Sequence, residues 1–236
     1  MMEAAMSSQK NNVEEFEQML ESAFSQKRNI KKYLDKTSDD YRYLDPGRYL
    51  YETAMKHRVK DRFSDSYIEL VYITLKAWNM NSRGAMLRDF STFRNSIINC
   101  KSYFDVLQSR DVDEPVESHR QTLKELYEKL KLTQNTSPLV TFSKTLHFFI
   151  PDLIAPIDRK YTLSFFKKNH RGTFQGDNQF SVFMDIQSAY SIFARKHNLK
   201  DLLKDSLYKN WNQNIPKIMD NLVIGYMLCQ DQNKET

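Results

Sequence analysis

Only five glycines and six prolines occur in 236 residues. An all-β fold of that length turns many times and places such residues at its turns, so the scarcity points to long helices joined by few loops. The apolar spacing agrees. Val13, Phe16, Met19, Leu20, Phe24 and Ile30 recur mostly at three and four, which predicts a helix over 13–34. "TSDDYRYLDPG" (37–47) reads as a loop, with Asp45 and Pro46 opening the next helix. "SDSYIELVYITLKAWNM" (64–80) follows, capped by Ser64 or Asp65. It is apolar on nearly all sides, which predicts a central, buried helix. Further helical stripes run through Met86–Ile98, Leu123–Leu130, Arg159–Lys168 and Phe180–His197, and two more helices end near Cys229. The sequence therefore predicts an all-α fold of about ten helices, in one domain over 13–229 or in two packed lobes. Residues 1–12 are expected to be a flexible N-terminus and 230–236 a polar tail.

Hydrophobic residues at 40% and charged residues at 28% suit a globular chain with a sizeable core. The net charge of +5 is compatible with a polyanionic partner. Cys100 and Cys229 stand far apart and form neither a disulfide framework nor a zinc pattern, which points to a reducing, cytoplasmic location. No window approaches the ~18 apolar residues of a membrane span. His57, His119, His147, His170 and His197 are scattered without HExxH spacing, and no phosphate-binding glycine loop or G-x-S-x-G is present. A metalloenzyme or nucleotide hydrolase is disfavoured, and no cofactor or metal is expected.

The informative stretch is "FSKTLHFFIPDLIAPIDRKY" (142–161). Leu146, Phe149 and Ile150 fit one helix face, while Lys144, His147 and Phe148 share a neighbouring one. Pro151 stops the helix, because the residue before a proline avoids the helical region. "DLIAPI" is then a buried connector, and Asp158 is placed to cap the next helix. A lysine-bearing helix, a connector and "IDR" opening a second helix resemble the signature region of helix-hairpin-helix DNA glycosylases, in particular the 8-oxoguanine DNA glycosylase/lyase branch. The family's lysine, its "HF" pair and its "LDRH"-like aspartate correspond to Lys144, to His147 and Phe148, and to Ile157, Asp158 and Arg159. Alignment on the "HF" pair instead places Ser143 at the lysine position. The resemblance spans Pro138 to Lys168.

The resemblance implies a two-lobed helical fold and an enzyme that excises a damaged or modified base from double-stranded DNA. Lys144 would attack C1′ of the nucleoside and form a Schiff base. Asp158 would stabilise the positive charge developing on the sugar. The base would be flipped into an aromatic pocket, for which Trp78 and His147 are candidates. Ser143, Arg159, Lys160, Lys167, Lys168 and Arg171 would track phosphates, and Asn81 and Arg83, in the loop after Trp78, would enter the duplex or line the pocket. "HRVKDRF" (57–63) would contact phosphate or face solvent. Read without the resemblance, the same residues admit a plainer account: Lys144 at a helix surface, Asp158 as an N-cap, His147 as a satisfied core histidine, and the basic run as a solvated face. Two alternatives to the glycosylase remain: a non-catalytic nucleic-acid-binding member of that fold, and an all-α interaction or regulatory protein.

Overall fold

The computed structural model describes residues 2–40, 46–78, 86–112, 114–134, 138–168, 178–204 and 212–232. Among these the chain is all-helical. In order, the helices are α1 (Met2–Phe24), α2 (Lys27–Asp40), α3 (Pro46–Arg58), α4 (Asp65–Ala77), α5 (Phe90–Asn99), α6 (Lys101–Leu107), α7 (Arg120–Lys129), α8 (Leu139–Phe149), α9 (Thr162–Phe165), α10 (Asn178–Lys196) and α11 (Ile215–Gln232). Short 3-10 turns cover Val116–His119 and Leu199–Lys204. One isolated antiparallel bridge joins Leu87 to Thr133. No described helix is long and apolar enough to cross a membrane.

The helix expected over 13–34 is divided at Ser25–Gln26. α1 packs along α10 and α2 along α11, so the two ends of the chain close on each other. Phe16, Leu20 and Phe24 of α1 follow i, i+4, i+8 spacing and are fully buried. Phe24 meets Phe193 of α10 edge-on at 6.1 Å between ring centroids. α3 pairs with α4, and both touch α8. α4 is capped by Ser64, whose Oγ accepts the Tyr67 N–H. It is not the central helix that its composition predicted: Ile73 is 46% exposed, and Glu69 and Lys76 share its outer face. α8 takes that place. Every residue from Thr141 to Phe149 is buried, because "TFSKTLHFF" meets α3, α4 and α10 on different sides.

Gly225 sets the spacing of α2 and α11. A Cβ there would fall inside contact distance of Tyr33 O and 2.7 Å from Thr37 Oγ1. Thr37 Oγ1 also donates to Asn221 O across the helix pair at 2.6 Å. Gly225→Ala gains up to about 1 kcal/mol of helix propensity. Overpacking against backbone costs about 1–3 kcal/mol. The collision involves a carbonyl that cannot rotate away, so the variant is expected to unfold at lower urea than the parent. An unchanged midpoint would mean that the two helices are not so close.

Candidate functional site

The buried centre of the fold begins with α8. It ends at Phe149, and Ile150 leaves the helical region immediately before Pro151, as expected. The connector from Ile150 to Ile157 is held on three sides. Val112 N–H donates to Asp152 O at 2.9 Å. The Gln187 amide of α10 clamps Ala155, accepting its N–H at 2.9 Å and donating to its carbonyl at 2.8 Å. Ser143 Oγ accepts the Ile157 N–H at 3.0 Å. Ser143 is thus fully buried and anchors the connector; it does not face a nucleic acid as expected. A loop that must occupy the core pairs its backbone groups in this way, since an unpaired buried amide costs about 1–3 kcal/mol.

This connector delivers Asp158 to Lys144. Asp158 Oδ2 accepts from Lys144 Nζ at 2.9 Å. Its Oδ1 accepts the backbone N–H groups of Lys160 and Tyr161 at 2.7 and 3.3 Å. One carboxylate therefore both caps a turn and faces the lysine. Burial raises the Asp158 carboxyl pKa, but the Lys144 ammonium and the two N–H donors outweigh it and hold the group below the ordinary aspartate value. Of the two candidates for the lysine position, it is Lys144, not Ser143, that meets the aspartate. Lys144 is 7% exposed, and its Nζ lies 5.5 Å from the Trp78 ring centroid. It is not the surface lysine of the plainer account.

The helix expected over 159–168 is shorter. α9 spans only Thr162–Phe165, preceded by the turn that Asp158 caps. It closes where Lys167 takes φ 55°, with Lys168 N–H donating to Leu163 O and Lys167 N–H to Ser164 O. That pair of bonds around a left-handed residue terminates a helix.

His147 does not line a pocket. It is fully buried, with Nδ1 2.7 Å from Ile154 O and Nε2 2.9 Å from Tyr51 Oη. A carbonyl can only accept, so Nδ1 carries the hydrogen and Nε2 accepts from the Tyr51 hydroxyl. Burial, opposed by the bond to Ile154 and reinforced by the Lys217 and Arg58 charges, lowers its pKa to about 3. The histidine is neutral and locks α8 to α3 and to the connector. Trp78, by contrast, does border the centre. It is half-buried and stacks on Tyr51 at 5.8 Å and packs against Phe148 at 5.4 Å.

A second ion pair joins this centre from α11. Asn214 Oδ1 accepts the Lys217 N–H and starts the helix. Lys217 Nζ then lies 2.5 Å from Asp220 Oδ2. These two residues are 2% and 4% exposed. Lys217 Nζ stands 5.4 Å from the Tyr51 ring and 5.8 Å from the Trp78 ring, so both ammonium groups share the Trp78 ring as neighbour. Sequence reasoning passed over this pair. The signal was present: in "IPKIMDNLVIG" a lysine and an aspartate three apart are the only charges in an apolar helix. Opposite charges at i, i+3 usually mark a solvated face, but here the flanking Ile218, Met219 and Leu222 leave no polar face for them to share.

Of the basic residues, Arg159 and Lys160 are exposed immediately after Asp158, and Lys167 is exposed at the end of α9. Lys168 is half-buried, with Nζ 5.4 Å from the Phe16 ring. Asn81, Arg83 and Arg171 lie outside the described residues. The "HRVKDRF" segment contributes Arg58, Lys60 and Arg62 to an open surface cavity of about 510 Å³, which Lys101 and Asp105 also line. Arg62 is tied to Asp105 at 2.6 Å and to Phe149 O at 3.3 Å. Among the described residues no group of His, Cys, Asp and Glu is placed to hold a metal ion. Compared with protein-family models, with curated proteins and with solved structures, the chain matches none.

Proposed function

We propose that this protein is a DNA glycosylase with lyase activity, excising a damaged or modified base from duplex DNA. The observation that carries the proposal is the enclosed Lys144–Asp158 contact at 2.9 Å beside Trp78. Enclosed ion pairs are costly to maintain and are weak devices for stability, so a pair of this kind is a functional-site candidate. The chemistry matches the residue types. The neutral Lys144 amine bonds to C1′ as the bond to the base breaks, and the electron pair leaves with the base. Asp158 offsets the positive charge on the sugar. Trp78 offers a face on which a flipped base stacks. Arg159 and Lys160, exposed next to Asp158, supply phosphate contacts close to the reacting atoms.

The test is borohydride trapping on a panel of damaged duplexes and on a duplex with a preformed abasic site, together with duplex affinity as a function of salt. A covalent adduct and affinity that falls steeply with salt are expected. No adduct on any duplex overturns the lysine mechanism. One observation favours the second reading, nucleic-acid binding without catalysis. The five residues before Lys144, Leu139–Ser143, are α8 itself and contain no glycine, whereas the family resembled brings glycines to the hairpin at its lysine. Salt-dependent binding without any adduct would select that reading, and affinity independent of salt would remove both.

A further inference from the structure

The glycosylase reading uses Lys144 and Asp158 and leaves the second buried pair without a role. Two enclosed ion pairs in one core are more than packing requires, since apolar residues of similar volume are often as stable or more so. Asp220 also stands at a crossing of elements. Its charge acts on Tyr51 of α3 and Tyr190 of α10. Lys217 on its own helix, Lys144 of α8 and Asp158 of the connector act on it. It is enclosed to nearly the same depth as Lys144. A substrate atom that reaches Lys144 Nζ stands beside Trp78, the ring that Lys217 also approaches.

We propose that Asp220, held by Lys217, is the acid of this centre and gives its proton to the departing base, while Asp158 serves as the permanent anion. This rests on the glycosylase reading and adds a residue to it. The step balances. The bond between C1′ and the base nitrogen breaks, its electron pair goes to the base, and the base takes the proton of Asp220. Lys144 forms the new bond to C1′, and the Asp220 carboxylate left behind is compensated by the Lys217 ammonium. The two carboxyls are separated by their surroundings in the direction these roles need. Burial raises the proton affinity of Asp220 and the Asp158 charge raises it further, against the opposing pull of Lys217 and Lys144, while Asp158 is held below its ordinary value. Carboxyls whose environments push their affinities apart divide into a donor and an anion.

The experiment separates the two halves of the reaction in Asp220→Asn. Asparagine is isosteric and still accepts from Lys217. Excision from the damaged duplexes is expected to fall about 100-fold or more, the ordinary contribution of a general acid. Cleavage and borohydride trapping of a preformed abasic site, where no base departs, are expected to be unchanged. Equal excision by parent and variant overturns the role of Asp220, as does equal loss of both activities in a variant that melts like the parent. Should the variant not fold, the parent's pH profile decides. Excision must fall with rising pH along a limb that abasic cleavage lacks, and matching profiles overturn the proposal. A parent that traps the abasic site but excises no damaged base also overturns it, and leaves Lys144 standing. A parent that does neither overturns the glycosylase reading itself.

Discussion

Lys217→Met destabilises the fold by about 3–5 kcal/mol at neutral pH, the cost of leaving a buried charge without its partner. The Asp220 carboxyl would then be enclosed with only the more distant Lys144 in opposition, and with Asp158 repelling it. The penalty shrinks as pH falls, because a carboxyl that binds a proton is no longer a buried charge. The double variant Lys217→Met, Asp220→Leu removes both charges and recovers most of the loss. Lys144→Met costs less. Asp158 keeps the N–H donors of Lys160 and Tyr161, and 29% of its side chain reaches solvent. Urea unfolding of the three variants at two pH values tests the ranking. A Lys217→Met penalty below that of Lys144→Met, or one that does not change with pH, would contradict the buried pair.

His147 makes the fold acid-sensitive. Its folded value is about 3 against an ordinary 6.5, so between these values the unfolded chain binds a proton that the folded chain refuses. Stability therefore rises with pH across that window, at about 1.4 kcal/mol per unit for one proton. The histidine's contribution is complete above pH 6.5 and is lost progressively as pH falls toward 3. The raised carboxyls Asp152 and Asp220 act in the opposite sense, since the folded state holds their protons more tightly. The slope is for that reason read as a difference between parent and His147→Asn, which keeps a donor near Ile154 O. The variant is less stable at pH 7 and loses this slope. Parallel pH dependences would show that His147 is not held neutral.

Much of α8 and its exit was legible in the sequence. The spacing of Leu146, Phe149 and Ile150, the stop at Pro151 and the cap at Asp158 each follow from local rules. What local rules could not supply was the path of the connector. Whether Ser143 or Lys144 meets Asp158 depends on how Ile150–Ile157 folds back, and that is fixed by Gln187 of α10 and by Ser143 itself. His147 was ambiguous for a similar reason, since its second partner, Tyr51, lies 96 residues away. α9 was read too long because Lys167, a residue without special backbone freedom, adopts the left-handed turn that ends it. Lys217 and Asp220 were missed because i, i+3 opposite charges are usually solvated. Only the packing of α11 against α2 and α9 shows that this pair faces inward.

The central claim is that Lys144 and Asp158 form a reactive centre. Its most direct test is to reduce the protein with borohydride on a duplex carrying an abasic site, digest the adduct and locate the modified residue by mass spectrometry. The account predicts a sugar-derived mass on Lys144, and its loss in Lys144→Ala. Modification confined to Lys217, to the N-terminal amine or to surface lysines, or no modification at all, would contradict it.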